Sequence, residues 1–538
     1  MSAAQNVSRA ASRALPGGWG ALGHAAFVAI WAASIASNIG IAMYDAGSRW
    51  FMTNLSANPM TVSLVQVAVS LPMFICTVPA GALADVIDPR RLLIVVNAVS
   101  TALTAALAAL ISLGLATPAA LLLTTFLLGV GGALTGPAGM AITPLLVDRQ
   151  ELEGAVAANN VAFNISRAVG PALGGLAIAL FGVATPFWIC AASNLGNIAA
   201  LLWWRPPPMS VDSLPAERLT SAVRVGLHHA AHNPHLQATL IRAAAFFPFA
   251  GAYWTLLPLV ARGQLNQGPE FYGFLLAAIG VGAVVGSFAL GRAKARLGPD
   301  RVGALATIAT ALALVLFGLS RSPGVALGAC VIAGASWTVM LTDLYVSAQV
   351  ALPTWVRGRG LAVFMSAVFG GMLIGGLAWG QIAGAAGLPA AHYIAAAGAV
   401  LAIPLTWRWK LQMAAGADLS PSMHWDAPRI KREIDHDRGP VLVTVEYRVE
   451  PVYRVDFLCA LGELRHERKR DGAFAWGLFE DAAEQGRFVE TFRVESWLEH
   501  LHQHRRVTRT DRALQERIRA LLAGAPCVAH LIASEHRT

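Results

Sequence analysis

Long apolar runs recur along the first 410 residues, separated by short stretches that contain Gly, Pro or charged residues. Each run has about 20 residues, which is the length that an α-helix needs to cross a bilayer. The pattern therefore predicts a polytopic α-helical membrane protein with twelve spans. The predicted spans are 25–45, 63–83, 92–112, 118–140, 156–180, 184–204, 240–261, 271–290, 302–319, 324–345, 360–383 and 390–409.

The composition agrees with this prediction and limits the partners of the chain. Of the 538 residues, 56% are hydrophobic and 13% are charged, whereas soluble domains are about one-quarter charged. Only 11 of the 31 acidic residues precede residue 411, so the positive charge belongs to the membrane part and does not indicate a nucleic-acid partner. The five cysteines have no metal-ligand spacing. We predict no metal, no cofactor and no disulfide framework.

Basic residues in the predicted loops indicate the orientation. With the amino terminus inside, inner loops hold twelve Lys or Arg residues and outer loops hold three. We therefore expect a multi-pass protein of the cell (inner or plasma) membrane with both termini cytoplasmic. The predicted parts are an amino-terminal segment 1–24, a six-helix half 25–204, a central linker 205–239, a second six-helix half 240–410, a linker 411–439 and a cytoplasmic domain 440–538.

The bend between the second and third spans carries a short charged motif. Its members are Gly81, Asp85, Asp88, Arg90 and Arg91. Asp88 and Pro89 suit the N-cap and the first turn of the third helix. The order of these residues resembles the loop signature of major facilitator superfamily transporters, with Asp88 where the family usually has Gly. Aspartate there is familiar from the enterobactin-exporter-like branch, the transmembrane secretion effectors. The residues alone also fit an ordinary basic inner loop.

Two echoes indicate that the chain consists of two related halves. Gly291, Gly298, Pro299 and Arg301 repeat part of the loop motif after 210 residues. Span five contains a glycine-proline element at Gly170, Pro171, Gly174 and Gly175, and span eleven repeats its glycines after 201 residues. Small residues let helices approach closely and Pro171 bends the helix, so span five is predicted to seal against a neighbour. Static packing around a kink is the alternative. The element resembles part of the helix-five signature of exporters and antiporters in the same superfamily.

Arg357 and Arg359, before span eleven, also resemble this branch and place cations at an inner helix entrance. Asp85 is predicted to pair with one of them, or with Arg90 or Arg91, and so to hold an inner gate shut.

Charged residues inside the spans are few and are pathway candidates, because an ionised group in lipid costs several kcal/mol. Asp45 and Arg167 are the main candidates, and a surface pair of Asp45 with Arg49 is the alternative for the first. Asn38, Gln66 and Asn164 add polar groups that line the same cavity or join helices.

The last hundred residues have a different pattern. Strand and helix signals follow the order βαββαβ, which predicts a ferredoxin-like α+β domain over 440–538. It resembles the small dimeric domains of the antibiotic-biosynthesis-monooxygenase type, which implies homodimerisation through this domain.

The resemblance implies a secondary active transporter that exports a small amphiphilic compound, siderophore- or drug-like, by proton antiport and alternating access. The chain has no Gly-x-x-x-x-Gly-Lys-Ser/Thr phosphate loop, which disfavours nucleotide-driven pumping. The chain is not expected to be an enzyme. An oxygenase-like catalytic tail coupled to export, and a non-transporting receptor or scaffold, are the alternatives.

Overall fold

A computed structural model describes residues 20–84, 87–148, 150–205, 219–353, 355–411, 435, 438–507 and 509–533. The predictions for Asp85, and for most of segments 1–24 and 411–439, lie outside the described residues. The chain divides into two compact units. The first takes in the amino-terminal half with Ile241–Leu344 and Met365–Trp409, and the second takes in Glu217–Leu240, Tyr345–Phe364 and the carboxyl-terminal part from Lys410.

Long helices occupy all the predicted spans. They are α1 (Ala25–Leu55), α2 (Pro59–Ala84), α3 (Pro89–Ser112), α4 (Pro118–Ile142), α5 (Leu152–Phe181), α6 (Thr185–Trp203), α8 (Pro234–Leu259), α9 (Pro269–Leu297), α10 (Pro299–Leu319), α11 (Pro323–Val350), α12 (Arg357–Ala386) and α13 (Leu388–Thr406), with α7 (Leu219–His232) before α8. Among the described residues, eleven helices are long and apolar enough to cross a membrane. Helix α6 is not among them, because polar side chains such as Asn194 and Asn197 lower its hydropathy. The count of twelve spans stays a prediction.

Proline and capping side chains explain where many of these helices begin. Seven of them start at a proline, whose missing N–H would be unpaired in the first turn anyway. The predicted cap at Asp88 is confirmed: its carboxylate accepts hydrogen bonds from the backbone N–H groups of Arg90 and Arg91. The hydroxyl of Thr117 caps α4 by accepting from the N–H of Ala120.

Helix packing in the first unit connects the two predicted halves. Helix α1 packs on α5 and α6, α2 packs on α4, and α10 packs on α13. Helix α5 also packs along α9 of the other half. We use "outer end" for the end of the bundle that holds residues 50–63 and 262–273, which the basic-residue pattern predicts to lie outside.

The carboxyl-terminal domain is a four-stranded antiparallel sheet with helices on one face. Its elements are β1 (Val441–Arg448), α14 (Arg454–Arg470), β2 (Ala475–Glu480), β3 (Arg487–Val494), α15 (Trp497–Arg506), α16 (Arg509–Arg519) and β4 (Cys527–Ile532). The strand order is β2-β3-β1-β4. Every second residue of β1 and β3 is buried against α14 in a core that includes Phe457 and Phe492. The predicted order βαββαβ is therefore present, as a ferredoxin-like fold requires.

The second helix of the predicted βαββαβ order differs from a single helix. It is two helices, α15 and α16, because Val507 takes an extended backbone at the end of α15. The side chain of Val507, at the break between the two helices, is buried.

Candidate functional site

Arg49 of α1 contacts side chains of α2 and α8 near the outer end of the first unit. Its Nη2 donates to Oε1 of Gln66 on α2 at 3.2 Å, and Gln66 in turn donates to Ser70 at 2.8 Å. The guanidinium lies 5.8 Å from the ring centre of Trp254 on α8, within cation–π range. Arg49 is therefore part of an interhelical network, and its pairing with Asp45 stays a prediction.

Asp45 and Arg167 lie within electrostatic range of each other and of Arg49. Asp45 is half-buried one turn before Arg49 on α1. Arg167 is exposed although it lies in the middle of α5, and its guanidinium is 5.7 Å from the ring centre of Phe163. Tyr253 of α8, in the other half, is also within electrostatic range of Arg167. The structure thus brings together three predicted residues, Asp45, Gln66 and Arg167.

Aromatic rings from both halves lie near Arg49 or form pairs close to the outer end. Trp50 of α1 stacks on Tyr272 of α9 with ring centres 5.7 Å apart. Trp254 meets Trp337 of α11 edge to face at 5.7 Å. Two arginines, one aspartate and several large rings make a site suited to a ligand with anionic and aromatic groups. Sequence reasoning missed Trp254 and Tyr272, since aromatic residues in membrane helices are mostly found as anchors near helix ends.

Two further predicted residues are not joined to this group. Asn164 is exposed on α5, and its amide donates to the carbonyl of Asn160 in the same helix at 2.9 Å. Asn38 is half-buried on α1, about two turns before Asp45. Their roles in the cavity stay predictions.

The glycines of α5 lie where helices touch. A Cβ at Gly174 would stand 3.1 Å from the Cα of Met43 on α1, and one at Gly170 would stand 2.5 Å from the Cβ of Ala42. A Cβ at Gly175 would stand 2.5 Å from the carbonyl oxygen of Pro269 at the start of α9. Helix α5 is thus packed on one neighbour in its own half and one in the other half, and both the sealing prediction and static packing fit these contacts.

The echoed glycines of α12 have matching positions. A Cβ at Gly375 would stand 2.4 Å from the carbonyl oxygen of Pro248 on α8, and one at Gly376 would stand 3.4 Å from a methyl group of Val67 on α2. Helix α8 corresponds to α1, and α2 corresponds to α9, in the two-half arrangement. The repeat found in the sequence is therefore also a repeat in packing.

Polar contacts add to the packing at the outer end. Arg262, after α8, donates from Nη1 to Oγ1 of Thr53 at 3.0 Å and also hydrogen-bonds Asn54. The same guanidinium lies 6.0 Å from the ring centre of Trp50. These contacts join α1 to α8, so the two halves are closed against each other at this end.

The loop motif between α2 and α3 has local partners. Arg90 donates to the backbone carbonyls of Leu201 and Leu202 at the end of α6, at 2.8 and 3.0 Å. Arg91 forms an exposed ion pair with Asp88 at 3.6 Å. A Cβ at Gly81 would meet no atom within 4 Å, and Asp85 lies outside the described residues. The gating role of this motif stays a prediction.

The second half has two ion pairs that sequence reasoning missed. Arg242 of α8 pairs with Asp300 of α10 at 2.7 Å. Lys294 of α9 pairs with the fully buried Asp343 of α11 at 2.6 Å. The signal for Asp343 was present, since it is an acidic residue inside an apolar span.

Arg357 and Arg359 belong to the second unit. Arg357 is exposed at the first residue of α12, and Arg359 is half-buried. The Cβ of Arg359 lies 3.0 Å from the position that a Cβ would take at Gly226 of α7.

One group of side chains has the composition of a cation site. The ligand atoms of His24, Asp148 and Glu151 all lie within 4.8 Å of one another. Nε2 of His24 and Oε2 of Glu151 are 2.6 Å apart, a hydrogen-bond distance, so these two atoms already satisfy each other. We assign no metal to this group.

Charged side chains in the core of the carboxyl-terminal domain are paired. The carboxylate of Glu490 on β3 accepts from Tyr447 at 2.7 Å and from Trp476 at 2.9 Å. Arg468 of α14 donates to the same carboxylate at 3.1 Å. Burial, with a smaller effect of Asp511, raises the pKa of Glu467 to about 9. Because Glu490 is held by three donors, this network joins the helix to the sheet.

Comparisons with known proteins agree with the fold. Residues 16–538 match the family model described as "Transmembrane secretion effector". The nucleoside transporter NupG superposes with a TM-score of 0.58 and 12% identity, covering 72% of this chain and 99% of that one. A bacterial homologue of the iron transporter ferroportin gives 0.57 and 12%, with 71% and 98% covered.

Two curated relatives are transporters of named compounds. The enterobactin exporter of Escherichia coli O1:K1 / APEC is 26% identical over 66% of this chain and 85% of its own length. The staphyloferrin A transporter of Staphylococcus aureus is 25% identical over 50% of this chain and 68% of its own length.

Fold and comparisons together define a multi-pass membrane transporter of the major facilitator superfamily. Within that superfamily, the chain belongs to the transmembrane secretion effector family.

Proposed function

We propose that this chain exports a small amphiphilic, siderophore- or drug-like compound by proton antiport and alternating access. The observation that carries the proposal is the group of Asp45, Arg49 and Arg167, which lies between two halves that are closed at the outer end. In transporters built from two related halves, the transport site usually lies inside the helical bundle and contains ionisable side chains. The excess of arginine and the surrounding rings favour substrates with anionic and aromatic groups.

Asp45 is the proposed proton carrier. Its carboxylate is within electrostatic range of both arginines, and carboxylates inside membrane segments commonly act in proton relays.

Transport by purified protein in proteoliposomes tests the proposal. With enterobactin and staphyloferrin A as separate probes and a pH gradient across the membrane, we expect movement of at least one probe against the direction of proton flow. Adding an ionophore that collapses the pH gradient should stop this movement of the probe. If both probes and a cationic dye cross these liposomes no faster than they cross protein-free liposomes, export is contradicted. If transport has the same rate with and without the pH gradient, proton coupling is contradicted.

The proposed location is the cell membrane, with both termini in the cytoplasm. The two-sided distribution of basic loop residues supports this orientation. Single cysteines at Thr117 and Ser322 are expected to react with an impermeant reagent in intact cells, while cysteines at Asp212 and Ser420, outside the described residues, are not. Reaction at Ser420 from outside would contradict the orientation.

The proposed partner of the carboxyl-terminal domain is a second copy of itself, without a catalytic role. The sheet face opposite the helices carries two cross-strand apolar pairs, Leu442 with Leu531 and Phe479 with Val489. Leu531 is 54% exposed and Phe479 is 60% exposed, and exposed apolar groups on a sheet face favour association. Residues 436–538 are expected to be dimeric in light scattering, and Phe479→Glu should give a folded monomer. A wild-type monomer would contradict the proposal.

A further inference from the structure

Helix α7 contacts the carboxyl-terminal domain along one side. It packs on α14, and Arg224 forms an ion pair with Glu495, which follows β3. His228 lies within electrostatic range of Lys469 near the end of α14. These contacts join the segment between the two halves of the membrane part to the domain that follows it.

The same helix contacts the segment that leads into α12. Arg359 lies against Gly226, where no larger residue fits without displacing it. His229 is fully buried and meets the ring of Trp355 edge to face at 5.6 Å. Asn233, just after α7, donates to the carbonyl of Ala351 at 2.7 Å while its side-chain oxygen caps α8. The described residues of segment 351–359, which are 351–353 and 355–359, are therefore held by the half-buried ring of Trp355 against His229 and by a buried hydrogen bond.

We propose that the carboxyl-terminal domain regulates the transport cycle by clamping α7 onto segment 351–359, from which α12 begins. Helix α12 carries the glycines that pack on α2 and α8 in the first unit, so restraint on its first turn restrains a helix at the boundary between the halves. Release of the domain from α7 would free this turn. The kinetic consequence rests on the proposed export function, whereas the mechanical link between the domain and segment 351–359 does not.

Hydrogen exchange on the full chain in lipid nanodiscs tests the link without any substrate. Glu495→Arg replaces an ion pair with a repulsion, and the pair is partly exposed, so its effect is modest. We expect amide exchange in 219–232 and in 351–359 to rise about fivefold together. The exchanged pair Arg224→Glu with Glu495→Arg should restore the wild-type rates. Arg512→Glu breaks an exposed pair within α16 and is the matched control, expected to leave both segments unchanged.

A second variant acts on the other contact. Gly226→Leu is expected to displace Arg359 and raise exchange in 351–359, whereas Gly462→Leu, at an α14 glycine with open space around it, is not. Faster exchange confined to the domain and α7 in Glu495→Arg, with 351–359 at the wild-type rate, would overturn the proposal. So would unchanged exchange in every segment for both Glu495→Arg and Gly226→Leu.

The initial rate of probe movement in proteoliposomes tests the regulatory part. We expect the rate of Glu495→Arg to differ from wild type by about twofold or more, and the exchanged pair to return to the wild-type rate. Coupled exchange with identical transport rates would overturn regulation. No transport by wild type, with coupled exchange present, would instead refute the export function and leave the mechanical link standing.

Discussion

Replacing Arg167 with Gln is expected to reduce export by about tenfold or more while the protein still folds. Gln keeps a polar side chain but removes the charge that interacts electrostatically with Asp45 and Tyr253. A charge-assisted contact in a partly dehydrated site contributes about 1.5–3 kcal/mol, and about 1.4 kcal/mol corresponds to a factor of ten. Initial rates in proteoliposomes, measured at matched protein content, give the result directly.

Asn164→Ala is the matched control for this experiment. Asn164 lies one turn before Arg167 on the same helix, but its amide is bonded to its own helix. We expect near wild-type export from this variant. Equal losses for Arg167→Gln and Asn164→Ala would indicate a general defect of α5, and full activity of Arg167→Gln would remove Arg167 from the site.

Replacing Gly175 with Leu is expected to prevent closure of the outer end. The added Cβ would stand 2.5 Å from the carbonyl oxygen of Pro269 and 2.9 Å from the Cα of Gly273, so α5 and α9 must separate. Overpacking of this kind costs about 1–3 kcal/mol, which shifts a two-state balance roughly 5- to 150-fold. Export should fall accordingly, and the distance between probes at the outer ends of α5 and α9 should lengthen.

Gly196→Leu provides the comparison, because a Cβ at this glycine of α6 meets no atom within 4 Å. It adds the same side chain to a membrane helix without a clash, and we expect normal export. An unchanged distance distribution in Gly175→Leu would mean that α5 and α9 are packed statically, the alternative that the glycine pattern alone left open.

The sequence was informative wherever one helix or one loop carries the whole signal. The lengths of the apolar runs located the helices. The Asp88 side chain and the Pro89 ring located the start of α3, because helix capping depends only on residues that are neighbours in the sequence. The glycines of span five recur in span eleven after 201 residues, which indicated two halves. The matching contacts of Gly174 with α1 and of Gly375 with α8 confirm this arrangement. The alternation of β1 and β3 was likewise sufficient to place the sheet of the carboxyl-terminal domain.

The rest depends on contacts between distant segments. Nothing near Asp343 in the sequence indicates Lys294 as its partner, and nothing near Arg49 indicates Trp254. Asn164 and Gln66 are both amides inside predicted spans. The Asn164 side chain hydrogen-bonds its own helix, whereas the Gln66 side chain accepts a hydrogen bond from Arg49 on another helix. The contact of α7 with both α14 and segment 351–359 was likewise invisible, because it joins residues more than one hundred positions apart.

The distance across the outer end, measured with spin labels at Ala57 and Gly263, tests the alternating-access account most directly. Both positions are exposed, and they flank the contact of Arg262 with Thr53. We expect two distance populations in the full chain, a shorter one that matches the closed outer end and a longer one. A transported probe, or a change of pH, should change their ratio. A single short distance that neither a transported probe nor pH alters would contradict the account.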